Sequence, residues 1–310
     1  MTAKANTGLS GPASTTAAAA AAAARRGDNV SLAHLVDRAR FVRLETVRLS
    51  RIAGAGHYSS TFSAAELFSA LYYAHLRIDP ARPQWPDRDR FILSKGHAAI
   101  GLYPVLGDLG FFDPALLDNY TRLGSPFGDH PDMKKVPGID FSSGSLGHGL
   151  SIGVGMALAG RMAGRSYRVY CMLGDGELNE GQIWEAVMSA AHFRLQGLIA
   201  IVDRNQLCID GTVDEIMGVE PLVDRFESFG WAVQRIDGHD IPAVLGALDA
   251  LAPAGEGRPQ VIIADTVKGR GIRHMEMKLN WHVGNLVGED YDDAIAELEA
   301  GLQPYVPVEA

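Results

Sequence analysis

Four short runs of apolar and β-branched residues constrain the fold of this chain most strongly. The runs cover residues 168–173, 198–203, 232–236 and 261–266. Helical patterns separate them, over residues 182–194, 220–229 and 241–252. Strands that alternate with helices at this spacing predict an α/β fold, in which a parallel sheet is covered by helices on both faces in three layers.

The sequence before these runs predicts further helices and one more short strand. Apolar residues recur at a helical period over residues 31–53, and SAAE at residues 63–66 has the capping-box pattern, which predicts a helix to about His75. The segment RFILSKGHAAIGLYPVL predicts a strand, a turn at residues 94–96 and a helix. Asp113 before Pro114 predicts another helix start. Residues 122–145, rich in Gly, Pro, Ser and Asp, predict a long loop.

Composition and charge exclude several classes of function. The chain has 310 residues and a formal net charge of −9, which argues against a surface that binds nucleic acid. No apolar stretch reaches the roughly 18–20 residues that span a bilayer, so no membrane partner is expected. Two cysteines, Cys171 and Cys208, imply no disulfide framework, and a cytoplasmic location is the simplest. We expect a disordered Ala-rich tail over residues 1–28 and a single domain over residues 29–310.

A Gly-Asp-Gly turn follows the first of the four runs, at residues 174–176. Ligands of open α/β sheets bind beyond the carboxyl ends of the strands, and the next run ends at Asp203, followed by Asn205 and Leu207. Asp175, Asn205 and the Leu207 carbonyl are hard oxygen donors, which suit Mg²⁺ (or Ca²⁺ or Mn²⁺) and not Zn²⁺. An isolated Gly-Asp-Gly is more often a plain turn. Because Asn205 follows Asp175 by about one strand–helix–strand unit, the pair favours a metal site that binds a diphosphate.

A second glycine cluster, SSGSLGHGLSIGVGMALAG over residues 142–160, predicts the start of a helix. The backbone N–H groups there could hold phosphate oxygens. A nicotinamide site is the alternative, but it needs a strand directly before a GxGxxG sequence. A loop precedes Gly144 and the glycine spacing differs, so nicotinamide binding is disfavoured.

Four histidines lie in small-residue turns and make a polar, hydroxyl-binding pocket plausible. They are His57, His97, His130 and His282. Their spacing is not that of zinc ligands. The other six are interpreted as structural or solvated: His34, His75, His148, His192, His239 and His274.

These blocks together resemble the transketolase family of thiamine-diphosphate-dependent enzymes. GDGELNEGQIWEA followed by VDRNQLCIDG is similar to the thiamine diphosphate motif. RDRFILSKGHAAIGLYPVL, SSGSLGHGLSIGVGMALA and DTVKGRGI…NWHVG resemble its transketolase version. The likeness runs from about residue 40 to residue 285, in the order and spacing of the amino-terminal, diphosphate-binding half. It implies the thiamine-diphosphate-binding fold.

The resemblance implies a role for each matching residue. The divalent cation would be held by Asp175, Asn205 and the Leu207 carbonyl. The implied cofactor-binding residues are His97, Gly144, Leu146, Gly174, Asp175, Gly176, Asn205, Lys268 and His282, with Lys95 near the diphosphate. The implied catalytic residues, which would face the sugar hydroxyls or move a proton, are His57, His97, His130 and His282. Glu180 resembles a glutamate that crosses a subunit interface. Glu177 takes no role from the resemblance, and we interpret it as a first-turn helix acid that suits the helix macrodipole.

A full transketolase continues into a second domain that binds the aminopyrimidine ring and supplies the activating glutamate. This sequence stops at Ala310. The resemblance therefore implies one subunit of a split transketolase, which would work with a carboxy-terminal, pyrimidine-binding partner as an α2β2 heterotetramer. The implied reaction transfers a two-carbon ketol unit from a ketose to an aldose.

The sugar substrates and two rival functions stay open on the sequence. Pentose phosphates, branched sugar phosphates and sulfosugars all fit the resemblance. One rival is the alpha-type subunit of another two-chain thiamine diphosphate enzyme, such as a 2-oxo-acid dehydrogenase. The other is a cofactor-binding protein without enzymatic activity.

Overall fold

A five-stranded parallel sheet forms the centre of the computed structural model, which describes residues 30–302. The strands are β1 (Arg90–Leu93), β2 (Val169–Gly174), β3 (Leu198–Arg204), β4 (Ala232–Asp237) and β5 (Gln260–Asp265). They lie in the order β1-β2-β3-β5-β4, and every neighbouring pair is parallel. All four β-rich runs and the extra strand at RFIL are confirmed. The tail expected over residues 1–28 lies outside the described residues.

Alternate residues of the central strands supply two separate cores. Tyr170 and Met172 of β2 pack into the core on one face of the sheet, whereas Cys171 and Leu173 pack into the core on the other. Residues 169–173 are all buried, as expected of a parallel strand covered on both faces. The three-layer α/β architecture is confirmed.

Helices cover both faces of the sheet. The α-helices are α1 (Leu32–Ala53), α2 (Tyr58–Phe62), α3 (Ala65–Ser69), α4 (Ala99–Asp108), α5 (His148–Met162), α6 (Gly181–His192), α7 (Val213–Met217), α8 (Leu222–Ser228), α9 (Ile241–Asp249) and α10 (Glu289–Ala300). Helices α1, α3, α4 and α9 contribute to one core, and α5, α6 and α8 to the other. Within residues 30–302, no helix is long and apolar enough to cross a membrane.

The capping box expected at residues 63–66 is wrong, although the helical segment does reach His75. Helix α3 starts without a side-chain cap and continues as a π-helical turn, Ala70–His75. Ser63 is buried, and its hydroxyl donates to the Asp203 carboxylate at 2.7 Å and also contacts the Ser60 carbonyl. Glu66 is also buried, and pairs with Arg43. Tertiary partners therefore replace the local cap.

The helix start at Asp113 and the long loop after it are confirmed, whereas three helices were not expected from the sequence. Asp113 caps a short 3₁₀ helix, Pro114–Asn119, by accepting the Ala115 N–H. Residues 122–145 contain no helix or strand. The unexpected helices are α2, α7 and α10. Helices α2 and α10 pack with α1 in a third apolar cluster, and α7 begins at a capping box formed by Thr212 and Glu215.

The sheet topology brings the carboxyl ends of β2, β3 and β5 to one edge. Gly174 lies opposite Asp203 in the register of β2 and β3, and Asp203 lies opposite Ala264 of β5. The turns after these strands therefore meet beyond the same edge, where ligands of such sheets bind. Gly56 and Gly284 form an antiparallel bridge, which holds the segment before α2 against the loop that carries His282.

Candidate active site

Asp175 is a buried carboxyl group at the end of β2. It caps the 3₁₀ turn Gly176–Asn179, and its two oxygens accept the N–H groups of Gly176 at 2.9 Å and Gln206 at 2.6 Å. Burial and the nearby Asp203 carboxylate raise its pKa to about 6, although the Gln206 N–H opposes them. A carboxylate in such surroundings gains stability from a cation placed beside it.

Asn205 and Leu207 follow β3 and lie next to the Asp175 turn. The Asn205 amide group donates to Asp203 at 3.2 Å, and its oxygen accepts the Leu207 N–H at 3.3 Å. The Leu207 carbonyl accepts a hydrogen bond from the Lys268 ammonium group at 2.7 Å. Each of these oxygens has a second lone-pair direction available.

The three expected cation donors thus lie at neighbouring strand ends, each with a protein partner already in place. Within residues 30–302, no group of three or more His, Cys, Asp or Glu side chains is arranged to hold a metal ion. The expected donor set does not require such a group of side chains, since it consists of a carboxylate, an amide oxygen and a main-chain carbonyl.

Two buried lysines lie at the site. Lys95 pairs with the fully buried Asp203 carboxylate and donates to the Ser60 carbonyl at 2.8 Å. Lys268 donates to the carbonyls of Leu207 and Cys208. Burial and the charge of Lys95 lower the pKa of Lys268 to about 8. An anion bound here would relieve the repulsion between the two ammonium groups.

The second glycine cluster forms a tight turn that leads into α5. Gly147 is the N-cap of α5 and has a φ of 84°, a conformation that favours glycine. A side chain at Gly147 would also meet Glu180, since an added Cβ would lie 2.6 Å from the Glu180 Cβ. Gly144 packs beside the His130 ring, and the Leu146 carbonyl contacts His148 Nδ1 at 3.1 Å.

The four histidines singled out from the sequence converge. The ring centre of His57 lies 5.3 Å from that of His97, 5.6 Å from that of His282 and 6.3 Å from that of His130. The rings of His97 and His282 are 5.4 Å apart. Residues separated by more than 200 positions therefore form one cluster of imidazoles.

The inner histidines of this cluster are neutral at ordinary pH. Burial and the nearby lysines lower the pKa of His282 to about 3, and burial followed by Lys95 lowers the pKa of His97 well below its ordinary value. Within residues 30–302, the buried Nδ1 atom of His282 has no hydrogen-bond partner. A buried polar atom without a partner is rare, and it is a candidate contact for a ligand.

Asp129 is a member of the site that the sequence did not reveal. Its carboxylate lies 3.3 Å from His57 Nδ1 and 3.7 Å from His130 Nδ1. The hydrogen bond from His57 lowers the pKa of Asp129. The position of Asp129 directly before His130, in GDHPD, was the available sequence signal for this role. Its contact with His57 spans 72 residues and has no local pattern.

Glu177 and Glu180 differ in their surroundings, although Glu177 does lie in the first turn of a helix, the 3₁₀ segment Gly176–Asn179, as expected. Glu177 is buried, and its carboxylate accepts hydrogen bonds from the Ser94 hydroxyl and the N–H groups of Gly147 and Gly174. It therefore joins distant segments, a role that its first-turn position alone did not indicate. Glu180 is exposed at the N-cap of α6, and its side chain caps no helix N–H group.

Comparison with known proteins identifies a family over nearly the whole chain. Residues 31–309 match the family model described as transketolase, thiamine diphosphate binding domain. A 6-deoxy-6-sulfo-D-fructose transketolase subunit of Clostridium sp. (strain MSTE9) is 43% identical over 270 residues, which cover 87% of this chain and 97% of that protein. An apulose-4-phosphate transketolase subunit of Phocaeicola vulgatus is 37% identical over 261 residues, which cover 84% of this chain and 92% of that protein.

A solved structure and a further sequence relative match this chain over part of their own, longer length. Transketolase from Campylobacter jejuni superposes with a TM-score of 0.81 at 30% sequence identity, over 87% of this chain and 43% of that chain. Human transketolase is 38% identical over 277 residues, which cover 89% of this chain and 44% of that protein. The chain therefore spans less than half the length of these relatives, but nearly the full length of the two subunit relatives.

Proposed function

The chain belongs to the transketolase family, as its thiamine diphosphate binding domain, and from this premise we propose that it is one subunit of a two-chain transketolase. With its partner it transfers a two-carbon ketol unit from a ketose donor to an aldose acceptor. The observation that carries this proposal is the convergence of four histidine rings close to the buried Lys95 and Lys268.

The residues of the site fit thiamine diphosphate and a divalent cation. Asp175, Asn205 and the Leu207 carbonyl provide hard oxygen donors for Mg²⁺, or for Ca²⁺ or Mn²⁺. Burial and then the charge of Lys95 lower the pKa of Lys268, and a bound diphosphate would offset that positive charge. The free Nδ1 of His282 supplies one more ligand contact. The cofactor would lie among His97, the turns that contain Gly144, Leu146, Gly174 and Gly176, and the amino-terminal end of α5.

The histidines would bind the sugar and handle its protons. When bound, thiamine diphosphate supplies the carbon nucleophile and the electron sink that ketol transfer needs. His57, His97 and His130 would hold the sugar hydroxyls. The Asp129 carboxylate beside His57 Nδ1 favours the tautomer with a proton on Nδ1, which leaves Nε2 as an acceptor.

His282 would accept the proton that the donor's C3 hydroxyl loses as the C2–C3 bond breaks. Its pKa of about 3 in the protein alone makes it a weak base, because the ring is buried and the lysines lie close by. The negative charge of a bound diphosphate would counter those lysines and raise the basicity of the imidazole.

A partner subunit would complete the site. We infer a carboxy-terminal, pyrimidine-binding transketolase chain as partner, in an α2β2 heterotetramer with active sites at the subunit interfaces. Two relatives that match this chain over nearly their full length carry the word subunit in their names. Glu180 would lie at that interface, since it is exposed beside the glycine-rich turn. Residues 29–310 would form a single domain of that assembly.

The substrate class follows from the same two relatives. One is named for a sulfonated ketose and the other for a ketose phosphate. We therefore propose a ketose donor with a terminal phosphate or sulfonate group. The imidazole cluster would bind its hydroxyl groups, and the partner subunit would bind most of the anionic end.

Replacement of Asp175 by alanine tests the cofactor site. In the assembled complex, Asp175→Ala should abolish Mg²⁺-dependent thiamine diphosphate binding, measured by titration calorimetry, without loss of the circular dichroism spectrum. Asp224→Ala, in an exposed position on α8, is the matched control and should bind normally. Unchanged cofactor affinity in Asp175→Ala would refute the assignment.

A substrate screen tests the reaction itself. The reconstituted complex should turn over ketose phosphates or sulfonated ketoses with an aldose acceptor. Mass spectrometry of the products measures this turnover. Turnover of 2-oxo acids without any ketose activity would instead support a 2-oxo-acid dehydrogenase subunit.

A further inference from the structure

We propose that Glu177 is a positioning residue, which holds the glycine-rich turn and the Asp175 turn at the separation that the cofactor requires. This role rests on the proposed function, because it concerns the same thiamine diphosphate site. Glu177 itself would touch neither the substrate nor the cofactor.

The contacts of Glu177 join three segments that are far apart in sequence. One carboxylate oxygen accepts hydrogen bonds from the Ser94 hydroxyl at 2.5 Å and from the Gly147 N–H at 2.8 Å. The other oxygen accepts the Gly174 N–H at 3.1 Å. The turn after β1, the turn before α5 and the end of β2 are thus tied to one side chain.

Glu177 also replaces the missing cap of α5. Gly147, the N-cap residue, has no side chain to accept the free N–H groups of the first turn. The Ser94 hydroxyl accepts the Gly149 N–H at 3.1 Å while it donates to Glu177. Ser94 and Glu177 therefore cap the helix jointly from outside it. The positive end of the helix dipole stabilises the buried carboxylate in return.

Glu177 also lies close in sequence to the expected cation donor, so it links the cap of α5 to the Asp175 turn. Asp175, the expected cation donor, lies two residues before it, and Gly144 and Leu146 lie just before the Gly147 N–H that it binds. The carboxylate of Glu177 therefore connects the two turns directly. Its oxygens already accept three hydrogen bonds from the protein, which leaves Glu177 in a supporting and not a ligating position.

A shortened or neutral side chain should loosen this spacing. Glu177→Ala removes all three hydrogen bonds, and Glu177→Gln keeps the shape but has only one oxygen to accept them. Since hydrogen bonds to a charged group are stronger than neutral ones, we expect the thiamine diphosphate Kd to rise about tenfold to a hundredfold in Glu177→Ala. Glu177→Gln should give a smaller rise.

The experiment measures cofactor affinity and fold separately in the assembled complex. Titration calorimetry with thiamine diphosphate at saturating Mg²⁺ gives the Kd, and circular dichroism with size-exclusion chromatography reports fold and assembly. Glu227→Gln, an exposed glutamate on α8, is the control and should keep the wild-type Kd. If Glu177→Ala fails to fold, Glu177→Gln carries the same test, with an expected rise of several-fold.

Different outcomes separate this inference from the proposed function. A Kd within twofold of wild type in the folded Glu177 variants overturns the positioning role alone, even if their unfolding temperatures fall. Wild-type complex that binds no thiamine diphosphate overturns the proposed function and this role together. Raised Kd values in the order Ala above Gln above wild type support both.

Discussion

Replacement of Asp203 by asparagine tests the charge balance beneath the candidate active site. Asp203 is 0% exposed and accepts hydrogen bonds from Ser63, Lys95, Asn205 and Thr266. Burial alone would raise its pKa, but Lys95 lowers it below its ordinary value, so the carboxylate is charged. Asp203→Asn conserves the shape of the side chain and removes that charge.

The cost follows from what remains around Lys95. Its side chain is 1% exposed, and within residues 30–302 its ammonium group keeps the Ser60 carbonyl as its hydrogen-bond acceptor once Asp203 is neutral. Removing one partner of a buried ion pair costs about 3–5 kcal/mol, because the other charge stays buried and uncompensated. We therefore expect Asp203→Asn to lower the free energy of unfolding by about 3–5 kcal/mol.

A second substitution identifies the cause of this loss. Lys95→Met in the Asp203→Asn background removes the unpaired ammonium group and should recover roughly 2 kcal/mol, so the two changes are not additive. The assay is urea denaturation of the cofactor-free subunit, with Asp224→Asn on the surface of α8 as control. A loss below about 1 kcal/mol in Asp203→Asn, or no recovery in the double variant, would refute the reasoning.

Two further predictions concern residues behind the site. The pKa of the buried Glu66 is lowered from 4.5 to about 2, because Arg43 and His239 outweigh the effect of burial. The stabilisation that ionised Glu66 provides is complete above pH 4.5 and is lost as the pH falls from 4.5 towards 2. Glu66→Gln should therefore lower the unfolding temperature at pH 7. The variant's unfolding temperature should also decline less steeply than that of the wild type between pH 4.5 and pH 2. Tyr58→Phe removes the hydroxyl that accepts the Leu286 N–H at 3.1 Å, which should cost about 1–3 kcal/mol in urea denaturation. Because that hydroxyl holds the loop after His282, the donor KM should rise while the thiamine diphosphate Kd stays constant; an unchanged KM would contradict this link.

The strands and most helices were predictable because their signals are local. The run at residues 168–173 is apolar on both faces and ends in glycine, which identifies β2 and its end within one residue. Parallel strands share their carboxyl edge, so the neighbourhood of Asp175 and Asn205 followed from strand order alone. The small-residue turns around His57 and His282 suggested a shared pocket, but their roles needed the family resemblance, since no local pattern joins residues that far apart.

The remaining features depend on contacts that no local pattern encodes. SAAE at residues 63–66 matches a capping box, but the Ser63 hydroxyl donates a hydrogen bond to Asp203, 140 residues away. Glu177 is a first-turn helix acid, but its contacts with Ser94, across 83 residues, and with Gly147, across 30, also make it a buried acceptor. In each case a buried polar side chain gains a distant partner in addition to a local hydrogen bond.

The two lysines of the site have different electrostatic roles, although the sequence places both in similar blocks. Lys95 is neutralised within the protein by Asp203, so its charge orients the groups beneath the site. Lys268 donates to two neutral carbonyls and lies near Lys95, and burial with that charge lowers its pKa to about 8. Uncompensated charge is what an anionic ligand can use. Lys268 would therefore contribute most of the attraction for a diphosphate, whereas Lys95 and Asp203 would fix the geometry of Asn205 and hence of the proposed cation site.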